Sequence, residues 1–147
     1  MVHMRPMLEK KEIFMAKNNI VLIDDDPGFN IIMSRVAEQM GVRLFAYESL
    51  EDLGMVSLMN SYDIAIVDYD LGTVNGLEVA QYAKSFFKDL PIYLISSQER
   101  EPSPNWPDNI VKFSSKKQGY ANIVQMAQNI LSPPAYPQMM NAWSVYT

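Results

Sequence analysis

The chain has 147 residues and 48% hydrophobic content, enough for one domain with a full core. It has no cysteine, which excludes disulfides, thiol catalysis and cysteine-based metal sites. Its lone histidine, His3, sits in the N-terminal arm, so a histidine triad or a phosphohistidine in the core is excluded. The formal net charge of −5 is matched by the aspartates at 24, 25, 26, 68 and 70. The rest of the surface is therefore close to balanced, without the clustered basic face that direct nucleic-acid binding needs.

No apolar run approaches the roughly 20 residues that span a bilayer, and residues 1–17 carry no stretch of signal-peptide length. We expect a cytoplasmic chain with no membrane partner, an irregular or loosely helical arm over 1–17, one domain over 18–131 and a tail over 132–147. The first strand is predicted from about Asn19 to Asp24, where the apolar run Ile20-Val21-Leu22-Ile23 ends in three aspartates. Asp26 then caps a helix with Pro27 at its first position, where a missing N–H costs nothing. Phe29, Ile32, Met33, Val36, Ala37 and Met40 form its apolar stripe, and Gly41 closes it. A second strand, Val42 to Tyr47, carries Arg43 and reads as an edge. A short helix from Ser49 to about Met59 follows.

The run Ile64-Ala65-Ile66-Val67 has neither helical nor alternating period, so it reads as a strand buried on both faces, and it too stops at a carboxylate, Asp68. An unpaired buried charge costs several kcal/mol, so Asp68 must meet solvent, a cation or a metal at the rim of the sheet. The turn-forming stretch Asp70 to Gly76 leads into a third helix over about Leu77 to Phe87, with Leu77, Ala80, Gln81, Ala83 and Lys84 in helical spacing. A fourth strand, Ile92 to Ile95, ends in Ser96-Ser97. Pro102, Pro104 and Pro107 argue against a regular helix over Glu99 to Asp108. Ile110 to Phe113 is a fifth strand leading to Lys116, and a last helix covers about Ala121 to Leu131, with Ile123, Met126, Ala127 and Ile130 on one face.

Strands alternating with helices imply right-handed βαβ units. The fold class is therefore α/β: a doubly wound, flavodoxin-like, five-stranded parallel sheet of order 2-1-3-4-5, with a shortened or irregular fourth helix. In that order strands 1 and 3 are neighbours at the switch point, where ligands bind beyond the carboxyl ends of the strands. Asp24 and Asp25 then face Asp68, with Ser96 and Lys116 on the same rim. Converging carboxylates without cysteine or histidine suit Mg²⁺. One carboxylate left free as a nucleophile, with a lysine and a hydroxyl nearby, points to phosphoryl transfer onto aspartate.

These residues carry a resemblance. The acidic run Val21-Leu22-Ile23-Asp24-Asp25-Asp26-Pro27, the acceptor in Ile66-Val67-Asp68, Gly76 beyond it, the hydroxyl in Ile95-Ser96-Ser97 and the terminal lysine together resemble a receiver domain of the bacterial response-regulator (CheY-like) family, over about Asn19 to Leu131. The resemblance implies that Asp68 is the phosphoacceptor and that Asp24, Asp25 and Asp68, with the backbone carbonyl of Asp70, hold Mg²⁺. It implies that Ser96 and Lys116 contact the phosphoryl group and that Phe113 is an aromatic switch position. The implied partners are a histidine kinase or phosphotransfer protein and a downstream protein target. The chain departs from the family where Lys117 replaces proline after the lysine, where Gly72 replaces proline, where Ser97 replaces alanine and where the Pro-rich segment replaces the fourth helix. Lys112 is the rival for the site lysine. Two other readings are a pseudo-receiver that only binds proteins, and an aspartyl-phosphate phosphatase, to whose Asp-x-Asp-Gly-Thr signature Asp68 to Thr73 is similar except for Leu71.

Overall fold

The computed structural model describes residues 19–53, 61–86 and 90–132. The N-terminal arm, the C-terminal tail beyond Ser132 and the expected second helix past Leu53 lie outside the described residues. In chain order the elements are β1 (Asn19–Ile23), α1 (Pro27–Gln39), β2 (Arg43–Tyr47), α2 (Leu50–Leu53), β3 (Ile64–Asp68), β4 (Asp70–Leu71), β5 (Val74–Asn75), α3 (Gly76–Phe86), β6 (Ile92–Ser96), β7 (Ile110–Ser115), a 3-10 turn (Lys116–Gln118) and α4 (Tyr120–Leu131).

The main sheet has the order β2-β1-β3-β6-β7, and every pairing in it is parallel. With the small β4–β5 hairpin set aside, this is the expected 2-1-3-4-5 order, with β2 at an edge. Side chains alternate across each strand, so the two faces divide the core by parity. Ile20, Leu22, Ile64 and Ile66 pack with Phe29, Met33, Ile123 and Ala127 under α1 and α4. Val21, Ile23, Ala65 and Val67 pack with Val79, Ala80 and Ala83 under α3. Both faces are covered, which is why β1 and β3 read as unbroken apolar runs. Each isoleucine buried there contributes about 2 kcal/mol.

α1 begins as expected. Asp26 accepts from Gly28 N at 3.0 Å and Phe29 N at 3.2 Å, Pro27 opens the helix, and Gly41 follows its end at φ 72°. Its inner face differs from the expected stripe. Ile32 is 41% exposed, whereas Asn30 is buried beside Phe29, Met33 and Ala37. The exchange has a physical cause: Asn30 Nδ2 donates to the Asp24 carbonyl at 2.7 Å, so the inner face turns towards the end of β1. In α3 the buried residues are Gly76, Val79, Ala80 and Ala83, while Gln81 and Lys84 face solvent.

Two further differences concern loops. The stretch after Asp68 is not wholly irregular, because Asp70–Leu71 pairs antiparallel with Val74–Asn75. Gly72, at φ 81°, takes the first central position of that two-residue turn, where glycine is favoured. β7 runs to Ser115, past the expected end at Phe113, and a one-residue register shift at its start puts Phe113 opposite Leu94 and Lys112 opposite Tyr93. Residues 97–109 form bends and turns without a helix, as three prolines without amide donors dictate. Peptide bonds among the described residues are trans. Among the same residues no helix is long and apolar enough to cross a membrane.

Candidate functional site

β1 and β3 pair with Ile23 opposite Val67, so Asp24 and Asp68 stand side by side at the carboxyl end of the sheet. Asp24 is fully buried and Asp68 is 4% exposed, while Asp25 is exposed. One carboxylate oxygen from each of the three lies within 4.8 Å of the others. The strand end is pinned from two sides: Asp26 N donates to Asp24 Oδ1 at 2.9 Å, and Asn30 holds the Asp24 carbonyl. Asp26 itself is taken up by capping and stays outside the cluster.

The register of β6 and β7, with Ser96 opposite Ser115, delivers Lys116 to the same rim. Lys116 Nζ lies 2.7 Å from Asp24 Oδ2 and 3.3 Å from Asp68 Oδ2, and 4.4 Å above the Phe29 ring. Lys112 is exposed in mid-strand, away from the carboxylates. The turn that carries Lys116 is anchored from below. Gln118 Nε2 donates to the buried Tyr93 hydroxyl at 2.6 Å, and that hydroxyl also bonds Ser114 Oγ at 2.6 Å.

Burial raises the Asp24 carboxyl above its ordinary value, and it outweighs the lowering by the Lys116 ammonium and the Asp26 amide. Burial, with the Asp24 charge behind it, pushes Asp68 up from 3.8 to about 6 despite Lys116 and the Asp70 amide. Burial alone would lower Lys116, but the two aspartates together leave it raised and therefore protonated. Asp68 Oδ1 is buried and receives no hydrogen bond among the described residues. Hard oxygen donors, excess negative charge and a buried carboxylate oxygen without a donor together fit a cation of the Mg²⁺ type.

The surroundings of Asp68 are tight. A Cβ at Gly76 would lie 2.6 Å from the Asp68 carbonyl oxygen and 2.5 Å from Leu94 Cδ1. A side chain there would push α3 off the strand. Ser96 is fully buried at the end of β6, and its Oγ accepts from Gln98 N at 3.1 Å. Phe113 is half-buried and meets Trp106 edge-on at 5.3 Å, and Trp106 lies 6.3 Å from the Tyr69 ring. An aromatic chain thus joins the residue after Asp68 to the 97–109 loop and β7.

The Asp70 side chain is not in the acidic cluster. It accepts from Arg100 Nη2 at 3.2 Å to each oxygen. Arg100 also donates from Nε to Ser96 Oγ at 3.3 Å and lies 3.7 Å over the Tyr69 ring centroid. Neither Arg100 nor Asn30 was marked by the sequence. Arg100 lies in a stretch without period, and Asn30 is a polar residue at the border of an apolar stripe. A cleft of about 510 Å³ opens beside Arg100, lined also by Gln98, Glu99, Glu101, Phe113 and Ser115.

Comparison with known proteins agrees with this geometry. A two-component response regulator of Arabidopsis thaliana is 25% identical over 120 residues, 80% of this chain, which spans 20% of that relative's length. The response regulator TrrA of Thermotoga maritima, in complex with Mg²⁺ and BeF, superposes with a TM-score of 0.66 at 20% identity, covering 76% of this chain and 97% of its own. The non-phosphorylated HemR receiver domain of Leptospira biflexa gives 0.66 at 19% identity, covering 80% and 97%. The response regulator receiver domain family matches residues 20–128, and by that match, over the α/β sheet and acidic rim described above, the chain belongs to the receiver-domain family of two-component response regulators.

Proposed function

We propose that the chain is a response-regulator receiver domain that takes a phosphoryl group onto Asp68 from a partner histidine kinase or phosphotransfer protein, in a Mg²⁺-dependent reaction in the cytoplasm. The observation that carries this reading is the asymmetric placement of the Asp68 carboxylate. One oxygen faces Lys116 at 3.3 Å, and the other is buried with no donor among the described residues.

In the transfer, an Asp68 oxygen forms the new bond to phosphorus while the bond from phosphorus to the donor breaks, and its electron pair leaves with the donor. Lys116, held protonated by Asp24 and Asp68, offsets charge on the phosphoryl oxygens, and the Ser96 hydroxyl donates a hydrogen bond to one of them. Mg²⁺, held by Asp24, Asp25, Asp68 and the Asp70 carbonyl, would supply the remaining charge neutralisation. The Thermotoga maritima regulator, in complex with Mg²⁺ and BeF, supports that assignment. The chain then acts as a signalling phosphoacceptor rather than as an enzyme on an outside substrate. It signals by protein contact through the face formed by the 97–109 loop, Phe113 and α4.

Intact-mass measurement after incubation with acetyl phosphate and Mg²⁺ tests the reading. One added phosphoryl group on the wild type and none on Asp68→Asn is the expected result. No modification of the wild type would make the chain a pseudo-receiver, and continuous hydrolysis of phosphomonoesters would make it a phosphatase.

A further inference from the structure

Resting on the phosphoacceptor reading, we propose that Arg100 is a positioning residue for the transfer, a latch that commits the Ser96 hydroxyl as a hydrogen-bond donor to the phosphoryl group. A serine hydroxyl has two acceptor lone pairs and one proton. At Ser96 both lone pairs are engaged, one by Gln98 N at 3.1 Å and one by Arg100 Nε at 3.3 Å. The proton is what remains, and it makes no hydrogen bond among the described residues. Ser96 is fully buried, so water does not readily satisfy that proton. The neighbouring strand end holds Asp68, whose Oδ1 is buried and receives no hydrogen bond among the described residues. A phosphoryl group on Asp68, which pairs with Ile95 in the sheet, would bring acceptor oxygens to the rim beside Ser96, where the hydroxyl proton is the group left to donate.

Arg100 is itself fixed by groups that follow the acceptor strand. Its Nη2 reaches both Asp70 oxygens and Gln98 Oε1 at 3.2 Å, and its Cζ lies over the Tyr69 ring. The Asp70 contact is half-exposed and weak alone. The contact with the Tyr69 ring and the fork of donors together fix the guanidinium's orientation. The latch thereby ties the loop after β6 to the residues next to Asp68. Lysine cannot replace it, because one ammonium cannot hold Ser96, Asp70 and the Tyr69 face at once.

The test is a double-mutant cycle on the rate of phosphoryl uptake from acetyl phosphate at saturating Mg²⁺, read by intact mass. Arg100→Gln, Arg100→Lys and Ser96→Ala should each slow uptake by roughly tenfold, less than removal of a full oxyanion donor. The Ser96→Ala/Arg100→Gln double variant should be no slower than Ser96→Ala, which a merely structural role for Arg100 would not produce. Multiplying effects in the double variant, or a full rate in Arg100→Lys, would overturn the latch while the wild type still takes phosphate and the phosphoacceptor reading stands. A wild type that takes none would overturn both.

Discussion

Replacing Asp68 by asparagine should stabilise the metal-free protein, and by an amount that depends on pH. The Asp68 carboxyl is pushed up from 3.8 to about 6 by burial and by Asp24, so its ionised form is disfavoured in the folded chain. A difference of about 2 in pKa between folded and unfolded states corresponds to ~3 kcal/mol. For a raised carboxyl, the stabilising contribution is complete below about pH 4 and is lost as pH rises through about 6. At pH 8 the wild type therefore carries the full cost of a crowded charge. The amide removes that charge, and its carbonyl can still accept from Lys116, which now lies 3.3 Å from the carboxylate. We expect Asp68→Asn to gain about 2 kcal/mol at pH 8, which raises Tm by roughly 8 °C for a domain of this size. Near pH 4.5 the gain should largely disappear, because the wild-type carboxyl is then protonated. Urea unfolding followed by circular dichroism, with chelator present, at pH 8, 6 and 4.5 measures this. An equal gain at all three pH values, or a loss at pH 8, would refute the account of Asp68 as a buried charge under repulsion.

Mg²⁺ should raise the Tm of the wild type but leave Asp25→Ala unmoved, because the cation relieves repulsion among the three carboxylates; an equal rise in both would contradict the ligand assignment. Gly76→Ala should cost about 3 kcal/mol by overpacking, since the new Cβ meets the Asp68 carbonyl at 2.6 Å; urea unfolding reads it, and a neutral change would mean that α3 yields freely. In a Trp143→Phe background, Trp106 emission should shift on phosphorylation, because Trp106 packs between Tyr69 and Phe113. The same variant carrying Asp68→Asn should show no shift. Unchanged emission on a phosphorylated chain would place the responsive surface away from the 97–109 loop.

The sequence alone determined the sheet, because burial on both faces leaves unbroken apolar runs in β1 and β3, and a carboxylate ending such a run must lie at the rim. Local chemistry was legible as well: Asp26 and Pro27 start α1, Gly41 ends it, and three prolines keep residues 97–109 out of a helix. Only the tertiary structure decided what depends on partners far along the chain. Asn30 displaces Ile32 from the inner face of α1 because its amide serves the end of a strand six residues earlier, which no helical period records. The register shift at the start of β7 sets Phe113 beside Leu94, and a one-residue slip reverses which side chains face the core. Lys116, not Lys112, reaches the carboxylates because β7 continues to Ser115 before the 3-10 turn. Arg100 meets Asp70 across thirty positions of sequence. Contacts of that kind follow from how the strand ends assemble in space, and neither residue's immediate neighbours in the chain carry a trace of them.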